Sequence, residues 1–291
     1  MADKATAYAP ILCIVDGDVT IEFAAEHPGF LDPRYERHRA GIAKAALEYR
    51  PGQPVPEITY LDEEHECWRL LNRQLSEMHE RHACDEISEG LAQLALSADF
   101  MPQLGDVSAV VQDLTGFRFS PAAGLVDQFE FYSSLADREF QATQYIRHYS
   151  APLFSPEPDM IHEIVGHGSA LARRRLADVY ELLGKAVRRL QSTEAVSAVS
   201  NIFWFTLEYG LVRERGEIKV CGASMLSSCG EMAQFHAAQI RPLDFQAMVS
   251  QTYRVDEYQP VLFCADSFSH LEDFLGNFLT SVAEDSPLAV R

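Results

Sequence analysis

The sequence predicts a mostly α-helical single domain with a few short β-strands. Apolar residues recur at three- and four-residue spacing in several long stretches, and the strand-like runs are short and isolated. No internal repeat, low-complexity tract or long linker divides the 291 residues. A hydrophobic content of 47% supplies one substantial core.

The elements follow in chain order. "ILCIVDGDVTIEF" reads as a short strand or hairpin around the Asp16-Gly17-Asp18 turn signal. The first 26 residues are too few for a separate domain, so residues 1–26 are expected to form an N-terminal extension and residues 27–291 the main domain. In "DPRYERHRAGIAKAALEY", Asp32 is placed to cap a helix with Pro33 in its first position, and the prolines and glycine of "RPGQPVPE" stop it. A second helix is predicted over 62–81, with Trp68, Leu71, Leu75 and Met78 on one apolar stripe. "LARRRLADVYELLGKAVRRLQ" repeats the pattern through Leu176, Val179, Leu183, Val187 and Leu190; its arginines fall on the other face, which reads as solvated. "GEIKVCGASMLSS" reads as a hairpin strand followed by a small-residue loop, and Leu271, Phe274, Leu275, Phe278, Leu279 and Val282 form a last helical stripe.

Charge and cysteine usage narrow the function classes. With 43 acidic against 24 basic side chains, the formal charge of −19 would repel a phosphate backbone, which argues against nucleic acid or an anionic membrane as partner. The six cysteines form no CxxC pair, and no secretory leader is evident, so reduced thiols in a cytoplasmic protein are expected. No apolar run approaches the ~20 residues of a membrane helix.

The chemistry-bearing stretch is "EPDMIHEIVGH" at 157–167. Zinc proteases place two ligand histidines at i and i+4, with the intervening glutamate as base. Here His162 and His167 are one residue further apart, which on an ideal α-helix separates the rings by about 140°. Gly166 suggests that the helix widens or ends there, and π-type widening could bring the rings together. A core or surface role for both histidines is the plain alternative. A carboxylate with two imidazoles would make a facial triad for iron(II), but spacing alone does not choose it. Glu208, set in the apolar run "FWFTLEYGLV", is attractive because an unpaired charge there would be costly; a glutamate on the polar side of a core helix is the alternative. Asp159, three residues before His162, is placed to accept its other ring proton.

Four motifs occur together in order: "TQYIRH" at 143–148, "PEPDMIHEIVGH" at 156–167, "FWFTLEYGL" at 203–211 and "LSSCGE" at 226–231. With "HPGFLDPRYERHR", "YRPGQPVPEITY", "HACDEI", "TGFRFSPAAGL" and "YRVDEYQPVLF", they make the chain resemble the catalytic domain of the tetrahydropterin-dependent aromatic amino acid hydroxylases from about His27 to Asp273. The resemblance implies that family's helical fold, Fe(II) bound by His162, His167 and Glu208, a tetrahydrobiopterin or related tetrahydropterin, and O2 as co-substrate. It places Arg147 on the α-carboxylate of a free aromatic amino acid, a task suited to a planar guanidinium. Gly124, Val126, Phe131, Glu163 and Ser200 fall at pterin-side positions, with Glu163 acting on the pterin or its waters. Ser155, Pro158, Trp204, Tyr209, Ser227 and Val255 fall on the substrate side. The apolar Val255 favours a ring without a hydroxyl, so L-phenylalanine is the expected substrate.

Para-hydroxylation to tyrosine is the default expectation. Gly168-Ser169, Gln141, Phe203, Ser200 and "VDQFEFYSS" depart from the family's usual residues around the pocket. They motivate meta-hydroxylation, or tryptophan as substrate, as alternatives. A zinc hydrolase using Glu163, and a non-catalytic binding protein, are the readings from other classes. A monomer or weak dimer is expected, since little chain precedes His27 or follows Val282.

Overall fold

Asp16 and Gly17 both take positive φ, 52° and 87°, the backbone of a two-residue turn matched to strand twist. In this computed structural model, which describes residues 10–155, 157–255 and 257–282, that turn joins β1 (Ile11–Val15) to antiparallel β2 (Asp18–Glu22). The expected hairpin is therefore present, packed on α1 (Pro33–Glu48) through Ile21, Phe23, Tyr35 and Ala43. The Asp32 carboxylate caps α1, accepting from Arg34 N at 2.9 Å and Tyr35 N at 3.0 Å, and the proline-rich segment follows its end. Residues 1–9 of the expected extension and 283–291 of the expected tail lie outside the described residues.

The second predicted helix is α2 (Asp62–His82), whose stripe of Trp68, Leu71 and Leu75 is fully buried. Helices α3 (Asp85–Leu94) and α4 (Leu104–Thr115) lead into β3 (Arg118–Ala122), which pairs in parallel with β4 (Glu139–Thr143) across α5 (Gln128–Ser134). A π-helical segment, Ile161–Gly168, runs into α6 (Ser169–Leu171) and then α7 (Arg174–Val187). Leu190 lies beyond the end of α7, yet stays buried. The arginine face of α7 is not simply solvated. Arg175 pairs with Glu86 and Glu272, and Arg188 with Asp137, because the acidic side chains of neighbouring helices and turns meet it.

Helix α8 (Thr193–Phe203) continues as a second π-helical segment, Trp204–Glu208, before β5 (Leu211–Glu214) and β6 (Glu217–Val220). The small-residue stretch after β6 is not the expected loop. It forms α9 (Ala223–Leu226), four residues too short to show a period. Helix α10 (Cys229–Gln234), β7 (Gln239–Pro242), α11 (Phe245–Ser250), β8 (Val261–Ala265) and α12 (Phe268–Ser281) complete the described chain. The larger sheet has the order β6-β5-β8-β7, antiparallel only at β5–β6. Trp68, Tyr180, Phe205, Phe263 and Phe278 fill the core. Among the described residues, no helix is long and apolar enough to cross a membrane.

Candidate metal centre

The two π-helical segments carry all three candidate ligands. In a π-helix the backbone bonds run i→i+5, so residues five apart follow one another around a single turn. This explains how His162 and His167 face together where an α-helix would splay them. The bond from Tyr209 N to Trp204 O, 2.9 Å, is of the same kind and ends the segment at Glu208. Two glycines let the backbones close on this site: a Cβ on Gly166 would lie 2.7 Å from the Ala223 carbonyl oxygen, and one on Gly222 2.3 Å from that of Glu208.

His162 Nε2 and His167 Nε2 stand 3.0 Å apart, with Glu208 Oε1 3.1 Å from His167 Nε2 and Glu208 Oε2 3.8 Å from His162 Nε2. One donor atom from each lies within 4.8 Å of the others, the one such cluster of three metal-ligating side chains among the described residues. His167 and Glu208 are buried and His162 half-buried. Burial pushes the His162 ring down to about 4. Burial would raise the Glu208 carboxyl, but His167 and His162 outweigh it and hold it at about 2. Two bare imidazole nitrogens and a carboxylate this close are satisfied by a shared cation, and the donor set suits a mononuclear iron(II).

Each of the three has one hydroxyl partner on its far side. His162 Nδ1 meets Ser227 Oγ at 3.3 Å, His167 Nδ1 meets Tyr180 Oη at 2.8 Å, and Ser224 Oγ donates to Glu208 Oε2 at 2.7 Å. The expected bond from the His162 ring to Asp159 is not formed. Asp159 accepts the His162 backbone N–H at 3.2 Å instead, and its carboxylate is engaged by Arg147.

Arg147 is buried at the other side of that carboxylate. Its Nε and Nη2 reach the two Asp159 oxygens at 2.8 and 2.9 Å, and its backbone N–H adds a third bond of 2.8 Å. Burial opposes the Asp159 charge, yet the guanidinium holds its carboxyl below the usual range. The fork uses Nε and Nη2, which leaves Nη1 outside the pair.

Glu163 turns to Thr143, accepting from its hydroxyl at 3.2 Å and its N–H at 3.3 Å. Burial pushes its carboxyl up to about 7. Ser200 Oγ accepts from Gln128 Nε2 at 2.6 Å and from Tyr132 Oη at 3.2 Å. Phe131 lies edge-on to Phe140, whose ring packs on His167 at 4.7 Å. Gly124 and Val126 line a cavity of about 560 Å3 that extends to Gln141 and to the buried Arg39–Glu157 pair; none of the three clustered ligands lines it.

On the substrate side, Trp204, which opens the Glu208 segment, stacks on Tyr253 at 4.1 Å and packs at 4.7 Å on Tyr209, which follows its end. Pro158 offers its carbonyl to Thr143 at 3.3 Å. Ser155 donates to the Glu157 carbonyl, and Val255 is 42% exposed, so neither is drawn into the ligand cluster. Ser227, expected on the substrate side, instead meets the ring of a candidate ligand, His162. Tyr180, Ser224 and Thr143 were not legible. Tyr180 lies among the apolar positions of α7, where its ring reads as core; Ser224 lies in the small-residue stretch after β6 and Thr143 opens "TQYIRH", and neither position gives its side chain a role.

A family profile described as biopterin-dependent aromatic amino acid hydroxylase matches residues 14–290. The chain is 42% identical over 264 residues to a phenylalanine 3-hydroxylase from Streptomyces coeruleorubidus, covering 91% of this chain and 95% of that protein. It is 40% identical to the tyrosine 3-monooxygenase and 37% to the phenylalanine-4-hydroxylase of Homo sapiens, over 91% and 93% of this chain. It spans only 51% and 60% of the length of those two relatives. Among solved structures, Chromobacterium violaceum phenylalanine hydroxylase with bound iron(III) and 7,8-dihydrobiopterin superposes with a TM-score of 0.74 at 27% identity, covering 85% of this chain and 92% of that one.

Proposed function

The chain belongs to the biopterin-dependent aromatic amino acid hydroxylases, and from that premise we propose that it hydroxylates free L-phenylalanine at the 3-position, giving meta-tyrosine. The observation that carries the ring position is the 42% identity to a phenylalanine 3-hydroxylase over 95% of that protein's length. Para-hydroxylation, the default expectation from the sequence, is supported by the phenylalanine-4-hydroxylase likeness, at lower identity and over 60% of that relative. The departures at Gln141, Phe203 and Gly168-Ser169 accord with a pocket that is not an ordinary para-hydroxylating one.

In this reading His162, His167 and Glu208 hold Fe(II), and a tetrahydropterin lies beside Gly124, Val126 and Phe131. The dihydrobiopterin- and iron-bound Chromobacterium enzyme supports iron and a pterin as the two groups bound. Iron with a tetrahydropterin supplies reductive activation of O2, chemistry that zinc, without redox states, does not offer. A zinc hydrolase is thereby disfavoured, and Glu163, bonded to Thr143, is free to hold a pterin N–H or a bound water. Ser200, fixed by Gln128 and Tyr132, is assigned to the pterin side in the same reading.

Arg147 receives the substrate carboxylate through Nη1 while Asp159 holds the guanidinium plane still. Pro158, Trp204 and Tyr209 wall the ring, with Ser155, Ser227 and Val255 at the pocket's margin. Holding the ring against the metal without water is the chain's main contribution, since orientation alone removes much of the barrier. Incubation with L-phenylalanine, Fe(II), a tetrahydropterin and O2, followed by chromatography against ortho-, meta- and para-tyrosine, tests the reading. Meta-tyrosine is expected; para-tyrosine as sole product overturns the ring position, and no hydroxylated product from any aromatic amino acid overturns the activity.

A further inference from the structure

We propose that Tyr180 is a positioning residue for His167: its phenol oxygen accepts the imidazole Nδ1–H and so decides which ring nitrogen is bare and where it points. The inference rests on the reading of His162, His167 and Glu208 as metal ligands. It adds a residue that the resemblance does not assign.

The reading of His167 Nε2 as a metal ligand fixes the direction of the bond. His167 Nε2 is the nitrogen that faces the cluster, 3.1 Å from Glu208 Oε1 and 3.0 Å from His162 Nε2. A lone pair on Nε2 requires a neutral ring with its proton on Nδ1. Nδ1 lies 2.8 Å from Tyr180 Oη, with both side chains buried from solvent. The phenol oxygen is therefore the acceptor, and a ring turned over to present Nδ1 inward would leave that N–H without it.

Tyr180 is held by packed rings, unlike the partner of the other histidine. Its ring meets Phe203 edge-on at 6.0 Å and Phe117 at 6.5 Å, and Phe203 in turn stacks along His167 at 6.1 Å. It stands on α7, which approaches the Ala136 backbone so closely that a Cβ on Gly184 would lie 2.2 Å from Ala136 N. Ser227, by contrast, sits 3.3 Å from His162 Nδ1 and divides its hydroxyl between the carbonyls of Ala223 and Ser224. Position and tautomer of His167 are thus set from a helix that contributes no ligand.

Removing such a partner from a ligand imidazole typically costs 10–100-fold in metal affinity. The full-length protein, stripped of metal and titrated with Co(II), provides the readout. Tyr180→Phe keeps the ring and removes one oxygen atom. Its metal-free form is expected to melt close to the wild type while its Co(II) affinity falls about 10–100-fold. A variant that folds and binds Co(II) within about twofold of the wild type overturns the proposal. Should Tyr180→Phe fail to fold, the Co(II)-loaded wild type decides instead. Its proton NMR spectrum is expected to contain a shifted imidazole N–H from His167 that resists exchange in D2O, and rapid loss of every such signal overturns the proposal. A wild type that binds no Co(II), or binds it unchanged after His162→Ala, refutes the metal reading itself, an outcome distinct from failure of the Tyr180 bond.

Discussion

Ser224 Oγ lies 2.7 Å from Glu208 Oε2, and the other oxygen of the same carboxylate stands 3.1 Å from His167 Nε2. Oε2 thereby holds a hydroxyl at 2.7 Å with His162 Nε2 at 3.8 Å, and Oε1 is the oxygen nearer a ring nitrogen. Ser224→Ala is expected to loosen the carboxylate and weaken metal retention about tenfold without unfolding the protein. Equilibrium dialysis against Co(II) or Fe(II) measures it; unchanged retention would mean that the bond does not orient the ligand.

The Arg147–Asp159 pair is buried and bidentate. Replacing one member leaves the other as an uncompensated charge, so Asp159→Asn is expected to cost about 3–5 kcal/mol in urea denaturation. Arg147→Lys keeps a charge but loses the fork. It should raise KM for the amino acid more than it lowers kcat, and equal effects on both would argue against carboxylate binding at Arg147.

Gly166 lies between His162 and His167, and a Cβ there would come within 2.7 Å of the Ala223 carbonyl oxygen. The Cβ is fixed by its own backbone and the atom it meets is a backbone oxygen, so neither can rotate away. Gly166→Ala is expected to cost about 1–3 kcal/mol and to push α9, which bears Ser224, away from Glu208. Differential scanning calorimetry with a parallel metal titration checks both effects, and a neutral substitution would show that the π-helix tolerates more separation.

Glu231 is buried on α10, and burial pushes its carboxyl up to about 7 despite a bond from Gln259 N at 3.2 Å. Its folded-state value exceeds the unfolded value of about 4.3. The stability it contributes is therefore fully present below about pH 4.3 and is lost as pH rises through about 7. Glu231→Gln keeps an acceptor for Gln259 and cannot ionise. Relative to the wild type, its melting temperature should rise between pH 5 and pH 8, and a constant difference across that range would contradict the burial argument.

Local rules made part of the fold legible and long-range contacts hid the rest. Asp32, Pro33 and the stripe of Trp68, Leu71 and Leu75 announce α1 and α2, since caps and helical periods are written within a few turns. The five-residue spacing of His162 and His167 pointed to a widened helix, which the π-helical segment provides. Helix α9 was missed because four small residues carry no period. Asp159 misled by its nearness in sequence to His162: its carboxylate is taken by Arg147, twelve residues earlier. Glu208 could not be chosen from the other carboxylates by spacing, and only the ordered motifs singled it out. Tyr180 sits on an apolar stripe, where nothing in the sequence separates a ring that packs from a hydroxyl that meets a ligand.

The most direct test of the account supplies the iron-loaded chain with L-phenylalanine, a tetrahydropterin and 18O2, and weighs the product. The account predicts one 18O atom on the aromatic ring of the product, and none with His162→Ala or Glu208→Gln. Ring oxygen drawn from water, or equal turnover by the ligand variants, would contradict it.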